Sequence, residues 1–404
     1  MKFYNQNLQK TIFWMLCGCL AVDTLNGFML RSAGISIAFF YKFLVVILML
    51  LYLKSRKVYI YFISIIASYA LLHLFLVEDS SLILPGLDWL AKFMFIVITY
   101  LFLVSLISQG KIDKIFTFAT ASLVILFVNL VVGSWGYGYA QYNNGQEGIG
   151  TRGFLYAGNE LAGAIVASAG LVLMHLVKEG RNNLFIFVSL LVIYACSLAT
   201  TKASVVAVLI LLITTPFFQR KASGSNASLK ITSIIVFPIV AGIGIYQALY
   251  ASNLISRINY FYEKFGLITM LLSNRNVWAE EAISYLITDY SLVELLFGTG
   301  FSWWAKITGV RSVEIDFIDT LMTYGIVGVV IVYGFFFNAL KKAAANKVNP
   351  YQRQVTILIV LLLLVSSTAG HIVFSGMAGP LVAAVCSVAS FRKSNISTAS
   401  NKAH

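Results

Sequence analysis

The sequence predicts an all-α, polytopic integral membrane protein with about twelve transmembrane helices. Three observations carry that expectation. Of the 404 residues, 59% are hydrophobic and 11% charged, and the mean hydropathy is +0.85, a balance outside the range of soluble domains. Apolar runs of about 20 residues, each able to cross a hydrocarbon core of roughly 30 Å, recur from end to end. The runs are continuous rather than alternating, which excludes a closed β-barrel. The chain is expected to form one transmembrane domain over 1–404.

In order, the runs lie at roughly 11–30, 34–53, 58–77, 87–107, 114–133, 153–177, 183–199, 202–218, 230–250, 316–340, 354–370 and 372–391. The first is a full-length span with no small-residue cleavage site, so no cleavable signal peptide is expected. Most of the 29 basic residues sit in one alternate set of short loops, including "KSRK" and "QRKASGSNASLK". The positive-inside rule places that set, both termini and a tail at 392–404 in the cytoplasm. Lys42 and Lys92 lie within spans. The net charge of +13 is thus distributed over membrane-flanking loops, and no nucleic-acid partner is implied. Cys17, Cys19, Cys196 and Cys386 sit inside apolar runs, without metal-ligand spacing to histidine.

The outer side carries the longer connections. A glycine- and tyrosine-rich loop at 134–152 includes Trp135, Tyr137, Tyr139 and Tyr142. A larger loop at 251–315 separates spans nine and ten and holds Arg257, Lys264, Arg275 and Arg311. Within it, 276–296 has apolar residues at helical spacing, which predicts an interfacial amphipathic helix, and "FGTG" at 297–300 predicts a tight turn.

Polar residues cluster at the outer ends of the spans. In "GTRGFLYAGNELAG", Arg152, Tyr156, Asn159 and Gly163 are separated by 4, 3 and 4 residues, the spacing of one helical face, with Glu160 beside them. Arg152 is open to two readings, a snorkelling side chain or a binding residue. Glu160 lies deeper, where a carboxylate faces a cavity or a partner. Lys202 follows "SLATT" at the outer end of the eighth run. A cation there gains nothing from the helix dipole; it either snorkels or forms a wall for an anion. In "VEIDFIDTLMTYGIVG", Glu314 stands at the mouth of a span, and Asp316, Asp319, Thr320 and Thr323 share a face. His371 joins the same side. Guanidinium groups suit phosphate and diphosphate, and carboxylate or imidazole suits proton abstraction from a hydroxyl. The set fits transfer from a lipid-linked phosphate or diphosphate to an alcohol on the outer face.

These motifs resemble the Wzy-type O-antigen polymerases, within the O-antigen polymerase and ligase superfamily of membrane glycosyltransferases. "TRGFLYAGNELAG" resembles the family's Arg-x10-Gly element, with Arg152 and Gly163 in register. "TTKASVVAVLILL" resembles its Ser-Arg helix start, with Lys202 where arginine is commoner. "NRNVWAEEAI…LLFGTGF" resembles the arginine-to-glycine outer loop, with Arg275 in the arginine position, although the next glycine, Gly298, is 23 positions on. "EIDFIDTLMTYGIVG" resembles the acidic or histidine motif followed by GxxG. The resemblance implies a GT-C-like fold in the bacterial inner membrane, with the active site facing the periplasm. It implies metal-independent, inverting transfer of a growing glycan from undecaprenyl diphosphate to a hydroxyl of a new lipid-linked repeat unit. No cofactor is implied; a chain-length regulator protein is an implied partner. Arg152 and Arg275 would then bind the diphosphate, with Lys202, Arg311, Asn159 and Tyr156 around it. Glu160, Glu314, Asp316 and His371 are the catalytic candidates, and Gly163 is structural. An O-antigen ligase, a capsule or exopolysaccharide polymerase, and a lipid-linked oligosaccharide flippase are the competing expectations.

Overall fold

A computed structural model of the chain describes residues 2–76, 82–144, 147–218, 227–251, 262–264, 266–269, 272–303 and 312–391. Arg257, Arg311 and the 392–404 tail lie outside the described residues. An apolar chain in lipid must satisfy its backbone internally, and the spans do so as helices. These are α1 (Lys2–Ala33), α2 (Ala38–Leu53), α3 (Arg56–Leu76), α4 (Ile83–Ser108), α5 (Asp113–Ser134), α6 (Gly158–Lys178), α7 (Asn182–Ala199) and α8 (Lys202–Phe218). A continuous helix with a π turn at Thr232–Val236 follows, as α9 (Ala227–Ile231) and α10 (Phe237–Ala251). The segment predicted as the larger loop contributes α11 (Arg275–Asp289) and α12 (Leu292–Phe297). The C-terminal part is α13 (Asp316–Ala345), α14 (Gln352–Ala369) and α15 (Gly379–Val388). Among the described residues, seven helices are long and apolar enough to cross a membrane, and five shorter apolar helices accompany them. The protein is a helical, membrane-embedded bundle.

Helix α6 is its axis. It packs against α5, α7, α8, α14 and α15, and 89% of its most apolar stretch is buried, against 11% for the peripheral α3. Small residues permit this closeness. A Cβ on Gly163 would lie 2.4 Å from Ile372 Cδ1, and one on Gly170 would lie 2.6 Å from Leu358 Cδ1.

Four expectations are corrected. The 134–152 loop contains an antiparallel hairpin, β1 (Tyr139–Asn144) and β2 (Glu147–Gly153). Asn129 of α5 fastens its end, donating to the Arg152 carbonyl at 2.8 Å and accepting from Phe154 N at 2.9 Å. Consequently α6 starts at Gly158, and Arg152 and Tyr156 do not share a helical face with Asn159 and Gly163. The predicted interfacial helix is two helices, broken at Tyr290–Ser291, where Ser291 and Glu294 form a capping box. The run at 372–391 is helical only over Gly379–Val388; its first part is a buried irregular turn. Finally, α13 is kinked at Gly325, whose φ is +64°. "FGTG" docks against that kink: Thr299 N and Gly300 N donate to the Met322 and Thr323 carbonyls, both at 3.1 Å.

Candidate active site around the 370–378 turn

A non-helical segment inside a membrane bundle leaves backbone N–H groups that need acceptors. In "GHIVFSGMA" (370–378) those acceptors are two carboxylates from distant helices. Asp316, at the start of α13, is fully buried and accepts from His371 N at 2.5 Å, Ile372 N at 2.9 Å, Val373 N at 3.1 Å and Ser366 Oγ at 2.6 Å. Glu160, in the first turn of α6, accepts from Ser375 Oγ at 2.5 Å and Met377 N at 2.9 Å. Both bonds fall on Glu160 Oε2; among the described residues no hydrogen bond reaches its Oε1.

The entry to this turn is strained. Glu314, Gly370 and His371 all have left-handed backbone, with φ of +61°, +64° and +57°. They meet closely: a Cβ on Gly370 would lie 2.5 Å from the Glu314 carbonyl oxygen. Asp319, also fully buried, holds the Glu314 corner by accepting from Val313 N at 2.9 Å and Glu314 N at 3.1 Å.

Arg275 closes the Glu314 side of the turn. Its Nε and Nη2 donate to Glu314 Oε2 at 3.1 and 2.6 Å, and its Nη1 donates to the Thr368 carbonyl at 2.7 Å, at the end of α14. The pair is mostly shielded, with side chains 14% and 29% exposed. Lys202, exposed at the start of α8, lies within electrostatic range of Arg275. His371 is 3.5 Å from Ser312 Oγ through Nε2 and meets Trp89 edge-on at 5.8 Å. Gly163 supports the floor through Ile372 and Ala378.

The opening motif is divided by this arrangement. Glu160, Asn159 and Gly163 are on α6, with Asn159 half-buried. Arg152 is on β2, at the rim. Its Nη1 donates to the Tyr156 carbonyl at 2.6 Å, and its guanidinium lies 5.1 Å from the centre of the Tyr139 ring. Arg152 Nε is buried with no hydrogen-bond partner among the described residues, and burial lowers the pKa of this guanidinium from its ordinary value. It still borders α6, because a Cβ on Gly158 would lie 3.2 Å from Arg152 Nη1. Tyr156 is exposed and packs edge-on to Tyr139. Sequence reasoning missed Asp23, which pairs with Lys42 in a shielded contact, and Asp88, 45% exposed, which pairs with Lys92. A carboxylate within each of two apolar runs was the available signal.

Among the described residues, no three His, Cys, Asp or Glu side chains gather as metal ligands. The chemical capacity of the site is a half-buried carboxylate with one oxygen unbonded among the described residues, a turn held by backbone hydrogen bonds beneath it, and the Arg275 guanidinium at its edge. Compared with protein-family models, curated proteins and solved structures, the chain matches none.

Proposed function

We propose that the protein is an oligosaccharide repeat-unit polymerase of the O-antigen type. In this reading, twelve spans place both termini in the cytoplasm and the 370–378 turn near the periplasmic face. The donor is a glycan on undecaprenyl diphosphate, and the acceptor is a lipid-linked repeat unit. The single observation that supports it is the convergence of Glu160, Asp316 and the Arg275–Glu314 pair, from elements far apart in sequence, on one irregular turn that itself carries His371.

The carboxylates divide the work by their contacts. Asp316 has four donors and no exposure, so no face remains for a substrate hydroxyl. Glu314 is held by two bonds from Arg275 to one oxygen. Glu160, with Oε1 open, is the general base. The acceptor hydroxyl oxygen attacks the anomeric carbon and its proton passes to Glu160 Oε1. The bond from that carbon to the diphosphate oxygen breaks, and its electron pair leaves with the diphosphate. Arg275 and Lys202 offset the charge that develops there, with Arg152 at the rim and Arg311 in the same loop.

The test is to supply purified protein in lipid nanodiscs with lipid-linked repeat units as sole substrate. A product ladder of two or more repeats is expected, and Lys202→Ala should shorten it. A flippase would form no glycosidic bond, and a ligase would require a lipid A core acceptor; either result replaces the proposal.

A further inference from the structure

Polar groups from three helices meet at Gly376, within the 370–378 turn, and two of them take no part in the steps above. Lys42 comes from α2 and Lys92 from α4. A Cβ on Gly376 would lie 3.4 Å from Lys42 Nζ and 3.9 Å from Lys92 Cε and Cγ. The third group is Glu160 of α6, whose Oε2 accepts from the residues on either side of Gly376, Ser375 Oγ at 2.5 Å and Met377 N at 2.9 Å. Each lysine has its own aspartate. Lys42 meets Asp23 of α1 at 2.5 Å in a shielded contact, and Lys92 meets Asp88 at 2.8 Å.

The hydrogen-bonding capacity of this group is only partly used. An ammonium carries three N–H donors, and the contact with its aspartate takes one. On the acceptor side, Asp23 Oδ2 is buried with no hydrogen-bond partner among the described residues, and no hydrogen bond reaches Glu160 Oε1 among them. Spare donors and spare acceptors therefore surround one glycine. A phosphate offers acceptors alone and would face the aspartates; a metal ion would face the ammonium groups. With a carboxylate against each lysine, no uncompensated charge remains in the two pairs to attract either. A hydroxyl donates and accepts at once, so neighbouring hydroxyls of a sugar ring match the alternation of ammonium and carboxylate. The ring has a way in, because Lys92 and Asp88 are 32% and 45% exposed, and Gly376 places no side chain between the lysines.

We propose that Gly376, flanked by Lys42 and Lys92, forms a sugar subsite that holds neighbouring hydroxyls of the acceptor residue beside Glu160; this rests on the polymerase reading above. The variant of choice is Gly376→Ala. Its methyl would stand at ordinary contact distance from both lysines, so the fold tolerates it, but it occupies the space between them. Wild type and variants in lipid nanodiscs are titrated separately with the repeat-unit oligosaccharide freed of its lipid and with inorganic diphosphate. Gly376→Ala should weaken oligosaccharide binding by about 10-fold or more, with diphosphate binding within about twofold and an unfolding temperature close to wild type. Gly334→Ala, a methyl added where nothing lies within 4 Å, should change neither affinity. Asp88→Asn/Lys92→Met, which removes the half-exposed pair without orphaning a charge, should also weaken the oligosaccharide alone. That double variant decides if Gly376→Ala does not fold. Unchanged oligosaccharide affinity in the folded variants, a loss confined to diphosphate, or a wild type that does not bind the oligosaccharide overturns the subsite. A wild type that binds the oligosaccharide but forms no ladder ends the polymerase reading, and the same comparison of affinities still decides the subsite.

Discussion

Asp316 and Glu160 are both acids near the start of a helix, yet their surroundings give them different work. Asp316 binds three consecutive backbone N–H groups and a serine hydroxyl, so it is an anchor. Replacing it with asparagine turns an NH2 group toward those donors. Asp316→Asn should lower stability by about 3 kcal/mol, read as a lower unfolding temperature in detergent, with activity lost in parallel. Glu160→Gln should behave differently. Its amide oxygen can still accept from Ser375 and Met377, so the unfolding temperature should stay close to wild type while kcat falls roughly 100-fold or more. Both residues were legible as candidates because carboxylates in apolar runs are conspicuous. Their roles were not legible, because Asp316 meets its partners across 50 or more positions and Glu160 across more than 200. Arg152 shows the limit from the other side: its 4-3-4 spacing to Tyr156, Asn159 and Gly163 looks helical, but Asn129 and the left-handed Gly153 end a strand there.

At the level of elements, the apolar pattern located the apolar helices, seven of them long enough to cross a membrane among the described residues, and could not locate the breaks within them. The 370–378 turn is as hydrophobic as a helix, and the group that unwinds it, Asp316, belongs to another element. The kink of α13 has the same origin. The sequence marks "FGTG" as a turn, but its partner is Gly325, whose absent side chain lets the backbone of Leu296 and Phe297 approach: a Cβ there would lie 2.4 Å from the Leu296 carbonyl. With φ at +64° and ψ at −167°, a region essentially reserved for glycine, alanine at this position adds backbone strain of about 1–3 kcal/mol to that clash. Gly325→Ala should therefore lower the unfolding temperature and detach α12 from α13, which faster proteolysis of the outer loop would register. The nearby glycine Gly334, where a Cβ would meet nothing within 4 Å, provides the control: Gly334→Ala should be tolerated.

On the scale of the whole molecule, composition and charge asymmetry were enough to foresee a helical membrane bundle, and α6 at its centre follows from its run of small residues. The proposed orientation is open to labelling, since all four native cysteines are buried. A cysteine replacing Tyr137, 61% exposed before the hairpin, should react with a membrane-impermeant thiol reagent in intact spheroplasts. One replacing Ser55, in the basic "KSRK" loop, should react only after permeabilisation; the reverse pattern would invert the topology and move the site to the cytoplasm. The most direct measurement of the account follows glycan length and released lipid diphosphate together, with purified protein and lipid-linked repeat units alone. Wild type is predicted to give a ladder with one diphosphate released per bond formed, and the neutral Arg275→Gln/Glu314→Gln variant to give neither while remaining folded. A ladder unchanged in that variant, or none from folded wild type, would contradict the account.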